Sequence, residues 1–125
     1  MTSREFALIA AQAADEKKAE DVVVLDVSEL LVVTDFFVIA TGRTNIQVRA
    51  IADEVEEQLR LHGEKAIGRE GAGEDKWVLL DYGDYVVHVF QPDEREFYRL
   101  EKLWGEAPRL AVPGSAQAPS SGTGA

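Results

Sequence analysis

The sequence has no cysteine, one methionine and four prolines in 125 residues. The missing cysteines exclude disulfide staples, thiolate catalysis and cysteine-ligated zinc. Histidine is almost as scarce, since His62 and His88 are the only two and neither has a second imidazole at metal-ligand spacing. Long apolar runs are missing too. A stretch such as residues 36–40 is far shorter than the ~20 residues that a bilayer crossing needs. Residues 1–5 lead into charged, amphipathic sequence without the apolar centre of a signal peptide. Together these absences predict a cytoplasmic protein. Positive charge is also in short supply: 13 Lys and Arg stand against 23 Asp and Glu, a net charge of −10. Such a surface repels phosphate backbones, so little direct nucleic-acid binding is expected. It attracts a basic partner and speeds the encounter. The plainer reading is that acidity only keeps the protein soluble.

What is present suits one α/β domain. Hydrophobic residues make up 46% and charged residues 29%, enough for a core and a solvated exterior. Thr2 and Glu5 have capping-box spacing, and Phe6, Ile9, Ala10, Ala13 and Lys17 then share a helical stripe to about residue 18. Residues 21–27 and 35–41 are β-branched and apolar, as in strands, joined by the unusually apolar connection Leu30-Leu31-Val32-Val33. A second capping box, Thr44 and Gln47, opens a helix whose inner face is Val48, Ile51, Ala52, Val55 and Leu59, with Gly63 placed to end it. Residues 65–69 form a weak strand, and residues 71–75 a flexible turn. Residues 77–82 and 85–90 predict a hairpin through Gly83-Asp84. Pro92 begins a last helix, with Phe97, Leu100 and Trp104 on one face and Gly105 at its end. The predicted order is α-β-β-α-β-β-β-α, a mixed, roughly five-stranded sheet with packed helices. The domain is expected over residues 1–107. Residues 108–125, rich in Gly, Pro, Ser and Ala, are expected to be a disordered tail, because they cannot bury enough apolar surface to offset ordering.

Candidate chemistry is sparse. Asp81 and Asp84 flank the hairpin turn, and Asp26 and Asp35 lie near strand ends. Carboxylate pairs can hold magnesium or move protons, but Asp81 and Asp84 equally suit a turn whose side chains bond local backbone. Ser28 lacks a G-x-S-x-G context, and Gly68, Gly71 and Gly73 match no phosphate-binding fingerprint. No cofactor or metal is implied. Trp77, Tyr82, Tyr85, Phe37 and Phe90 cluster in strands. Alternation puts Trp77, Leu79 and Asp81 on one face and Val78, Leu80 and Tyr82 on the other. Core packing accounts for several of these aromatics. An uncovered face would show aromatics beside carboxylates, the makeup of a protein-binding hot spot.

Several strings carry a resemblance. They are Leu25-Asp26-Val27, residues 34–42, residues 47–53, the block from Trp77 to Asp84, Val87-His88-Val89-Phe90, and residues 95–104, which contain Phe97-Tyr98 and Leu103-Trp104. Over roughly residues 5–104 the chain resembles the ribosomal silencing factor (Iojap-like) family. The resemblance implies a nucleotidyltransferase-like fold without catalytic residues: Gly42-Arg43 stands where such enzymes carry Gly-Ser, and residues 65–69 contain no aspartate. It further implies a translation repressor that is not an enzyme. The implied partner is the large ribosomal subunit, through large-subunit protein fourteen, a basic protein of the intersubunit face. The implied effect is a block on subunit joining when nutrients are short. A homodimer is expected when the protein is free. The region expected to dock comprises Trp77, Leu79, Asp81, Tyr82, Asp84 and His88. Phe36 stands where relatives often carry Tyr, a departure that puts one contact in doubt. The alternatives are a transferase-like enzyme using Asp81, Asp84 or Asp35, or an adaptor unrelated to ribosomes.

Overall fold

Helix α1, Ser3–Glu16, begins with the capping box the sequence predicts. The Glu5 N–H donates to Thr2 Oγ1 at 3.2 Å, and the Thr2 N–H donates to Glu5 Oε1 at 2.8 Å, so two otherwise orphaned donors are satisfied. The inward side of α1 is alanine at positions 7, 10, 11, 13 and 14. These small side chains allow close packing on its neighbours. In this computed structural model, residues 1–71, 73–99, 105 and 107–112 are described.

Strands β1 (Glu20–Asp26) and β2 (Phe36–Thr41) follow, then helix α2 (Asn45–Leu61). The buried face of α2 is Val48, Ile51, Ala52, Val55 and Leu59, the stripe read from sequence. Its N-cap Thr44 accepts from the Gln47 N–H at 3.0 Å. The Gln47 side chain closes the cap one residue earlier than a capping box would, accepting from the Arg43 N–H at 2.7 Å. Its amide also donates to the carbonyls of Lys17 and Lys18, tying the end of α1 to the start of α2. Gly63, at φ +85°, ends α2 as expected.

Strands β3 (Gly68–Glu70), β4 (Trp77–Asp81) and β5 (Tyr85–Phe90) precede helix α3 (Pro92–Tyr98) and strand β6 (Arg109–Leu110). The sheet order is β3-β4-β5-β2-β1-β6, with β2 and β5 parallel and every other pair antiparallel. Pro92 opens α3 as predicted, and Arg99 caps it in the left-handed region. Leu100 and Trp104, expected on the same helix, lie outside the described residues. Arg95 anchors α3 by donating to Asp21 O at 2.6 Å and Thr41 Oγ1 at 2.8 Å.

The mixed sheet, expected to be roughly five-stranded, has six strands, and the sixth lies within residues 108–125, the segment expected to be a tail. Leu110 and Arg109 pair with Val24 and Leu25, the Asp26 N–H donates to Pro108 O at 2.8 Å, and Val112 is only 2% exposed in the core. Residues 108–112 therefore pack with the domain, because Leu110 and Val112 bury apolar surface that composition averaged over 18 residues conceals. Residues 113–125 lie outside the described residues.

Helices α1 and α2 cover one sheet face, where Val24, Val38, Val78, Leu80, Val87 and Val89 meet them. A smaller cluster on the other face centres on Leu25, Ile39 and Phe90, with Phe37 and Trp77 at its margin. Among the described residues, no helix is long and apolar enough to cross a membrane.

Candidate partner-docking face

Strand β4 alternates as its sequence requires. Val78 and Leu80 are fully buried toward the helices, whereas Trp77, Leu79 and Asp81 are half-buried on the second face. The ladder register lays out that face in rows. Asp81 lies beside Val86 and then Phe37, Leu79 beside His88 and then Ile39, and Trp77 beside Phe90. The result is a strip of apolar and aromatic surface ending in a carboxylate.

Trp77 packs against Phe90 with ring centroids 4.9 Å apart. Its Nε1–H donates to His88 Nδ1 at 3.1 Å. Trp77 and His88 are diagonal neighbours on the same face, within reach of long side chains. His88 is only 5% exposed, and its Nε2 is buried with no hydrogen-bond partner among the described residues. Burial pushes its pKa down to about 4, because a low-dielectric site disfavours the imidazolium. At neutral pH the ring is uncharged, with its proton on Nε2, since Nδ1 accepts from the indole.

Asp81 Oδ1 accepts from the Gly83 N–H at 2.8 Å, the turn-shaping role open to it from sequence. Its outward position leaves it on the strip as well. Asp84 is exposed at the hairpin tip, and its carbonyl accepts from the N–H groups of Asp35 and Phe36 at 2.8 and 3.3 Å. The hairpin tip and the β1–β2 connection therefore lie together. That connection exposes Leu30, Val32 and Val33, the residues that made it unusually apolar in sequence.

Tyr82 does not join the strip. It is 8% exposed in the helix-side core, stacked on Tyr85 at 4.8 Å and 7°. Burial first, then nearby Glu56 and Glu64, push its phenol up to about 12. Alternation already grouped it with Val78 and Leu80, so its inclusion followed sequence proximity, not face. Phe36 is likewise buried among the helix-side core residues, so the departure there falls away from the strip. Of the six predicted residues, Trp77, Leu79 and Asp81 form the strip, Asp84 lies at its end, His88 lies beneath it and Tyr82 faces away.

Sequence reading named Phe37 among the strand aromatics but did not place it, or Val86, beside Asp81, where both are half-buried, because cross-strand neighbours depend on a register no local pattern reveals. A turn is expected at residues 71–75, and residues 73 and 74 form one. The turn is anchored at Asp75, which is 1% exposed and whose Oδ2 accepts from Arg49 Nε and Nη2 at 3.0 and 2.6 Å. A Cβ on Gly71, at φ +92°, would lie 1.9 Å from the Trp77 carbonyl oxygen. Only glycine lets the turn pass that close to the start of β4. Among the described residues, no group of three His, Asp or Glu could hold a metal ion.

The fold and the strip describe a mixed α/β domain with an aromatic and acidic surface on one sheet face. The family model for ribosomal silencing factor during starvation matches residues 1–124. The chain is 47% identical over 108 residues to ribosomal silencing factor RsfS of Bacillus subtilis, spanning 86% of this chain and 92% of that protein. It is 44% identical over 114 residues to the protein of that name from Halalkalibacterium halodurans, spanning 91% and 97%. A crystal structure of a Chromobacterium violaceum protein, 36% identical, superposes with a TM-score of 0.82 over 94% of this chain and 98% of that one. This chain belongs to the ribosomal silencing factor family, whose name describes a ribosome-associated regulator of translation.

Proposed function

We propose that this protein represses translation by docking the strip of Trp77, Leu79 and Asp81, with Asp84 at its end, onto large-subunit protein fourteen, a basic protein on the intersubunit face of the large ribosomal subunit. Large aromatic side chains in a desolvated patch supply most of the binding energy of protein interfaces. Trp77 is the anchor of that kind here, and the carboxylates meet lysine or arginine of the partner. The observation that carries this reading is a half-buried aromatic strip ending in a carboxylate on a protein of net charge −10. The docked protein occupies the surface that the small subunit needs, so the block is steric and uses no catalytic step. It acts in the cytoplasm when nutrients are limiting.

The test is sedimentation of cell extract on a sucrose gradient. Wild-type protein co-migrates with free large subunits, Trp77→Ala shifts toward the top, and Asp81→Lys does so at least as strongly by bringing like charges together. Co-migration of both variants at wild-type level would overturn the reading.

The free protein is a homodimer in this proposal, because isolated copies would expose the strip and the Leu30–Val33 connection together. The dimer covers part of the strip, so docking requires dissociation. Light scattering at tens of micromolar, a rough working concentration well above a micromolar Kd, is expected to give twice the chain mass. A single-chain mass would contradict the dimer and leave docking intact.

A further inference from the structure

Tyr82 faces away from the strip, and its hydroxyl has no task in the fold. The residue is only 8% exposed, yet its phenol makes no hydrogen bond with another described residue. Tyr85, stacked on it, does bond, donating to Glu64 Oε1 at 2.7 Å. Phenylalanine at position 82 would keep the stack and avoid the cost of desolvating an unpartnered hydroxyl. Among the described residues, the sealed polar atoms without a partner are Thr34 Oγ1, Asp75 Oδ1 and His88 Nε2. The Tyr82 hydroxyl is not one of them, and it opens on a groove that the ring lines. The groove runs between the outer face of α2, at Asp53, Glu56, Glu57 and Arg60, and residues 64–66. Its volume is about 370 Å³, at the small end of ligand clefts (roughly 300–1,000 Å³).

The groove is acidic, and its charge is only partly used. Arg69 Nη1 pairs with Asp53 Oδ1 and Glu56 Oε1, and Arg60 occupies both oxygens of Glu57. Glu56 Oε2 and Glu64 Oε2 accept from no other described residue. Lys65 is exposed and forms no ion pair with a described residue. Counting Arg69, four carboxylates here meet three cations, so one further positive group neutralises the cluster. Exposed apolar side chains flank it. Leu61, 61% exposed, lies one turn beyond Glu57 on α2. Ile67, 74% exposed, follows Ala66 and reaches to Gly83, next to Tyr82. A small free cation would leave both uncovered, whereas a polypeptide carrying that cation would cover them.

We propose that this groove is a protein-binding site separate from the strip, and that it takes an arginine side chain of a basic partner segment, with Tyr82 Oη as an acceptor and the free oxygens of Glu56 and Glu64 as counter-charge. A guanidinium suits it better than an ammonium, because its planar fork carries five donors and can serve several acceptors at once. The site lies on the helix side of the sheet, so it stands or falls apart from the docking of the strip.

The experiment uses the full ¹⁵N-labelled chain, titrated with the tripeptide Leu-Arg-Leu blocked at both ends, with its Leu-Lys-Leu counterpart, and with methylguanidinium. Leu-Arg-Leu is expected to give saturable amide shifts centred on residues 53–66 and Tyr82. Leu-Lys-Leu and methylguanidinium are each expected to bind several-fold more weakly. Tyr82→Phe removes only the hydroxyl. It is expected to weaken Leu-Arg-Leu binding about tenfold, the scale of one hydrogen bond to a charged group, while leaving the urea midpoint unchanged or raised. Glu64→Gln keeps an acceptor for Tyr85 and loses the charge, and it is expected to weaken binding to a similar degree. Shifts spread over the whole acidic surface, or equal affinity in wild type and Tyr82→Phe, would overturn the proposal. So would a lowered midpoint in Tyr82→Phe, which would assign the hydroxyl to the fold. Methylguanidinium binding as tightly as the tripeptide would overturn the protein partner in favour of a free cation.

Discussion

Acidification from pH 7 to pH 5 is expected to remove about 2 kcal/mol of folding stability through His88 alone. In the unfolded chain its imidazole takes a proton near the ordinary value of about 6.5. In the fold, burial holds that event down to about 4. Between these values the unfolded state binds more protons than the folded state, so stability falls as pH falls through the window. Above about pH 6.5 the contribution is fully present, and below about 4 no more is lost. The gap is worth about 3 kcal/mol in total, of which roughly two-thirds is gone by pH 5. The carboxyls of Glu5, Asp26 and Glu57 are held below their usual range by hydrogen bonds from Thr2, Ser28 and Arg60. Their contributions are lost as pH falls from the ordinary carboxylate values of 4.5 and 3.8 toward their lowered ones, below the pH 5 limit of the comparison. Urea unfolding of wild type and His88→Phe at pH 7, 6 and 5 isolates the effect, because contributions of other groups cancel in the difference. Wild type should lose about 2 kcal/mol more than the variant over that range. Parallel pH profiles, within about 0.5 kcal/mol, would refute a buried neutral imidazole at this position.

Ile51→Asp should leave no folded, soluble domain, since it puts an unpaired carboxylate at a fully buried position; circular dichroism of the purified variant checks this. Gly71→Ala should destabilise by about 1–3 kcal/mol, from positive φ and a Cβ driven into the Trp77 carbonyl, measured as a lowered urea midpoint. Truncation after residue 107 should lower that midpoint, because it removes β6 and the buried Val112. Truncation after residue 112 should leave the midpoint unchanged.

Where the sequence was informative, it was because one local rule acted alone. The face of α2 was legible because Val48, Ile51, Val55 and Leu59 repeat at helical spacing between a capping threonine and a terminating glycine. The β4–β5 hairpin was legible from Gly83-Asp84, and the Tyr82 N–H donates to Tyr85 O at 3.0 Å across that turn. β6 was not legible, because two paired residues between Pro108 and Pro113 form a strand only when β1 offers an edge. The proposed docking strip was half legible. Alternation gave Trp77, Leu79 and Asp81, whereas Phe37 and Val86 joined them through register alone. The bond between Trp77 and His88 links residues 11 apart, and nothing in the local sequence marks it.

The most direct measurement of the proposed mechanism mixes purified small and large subunits with saturating protein and follows their joining by light scattering. Wild type is expected to suppress joining, and Asp81→Lys, once shown to be folded, is expected to restore it. Undiminished joining with wild-type protein bound to the large subunit would contradict the steric block.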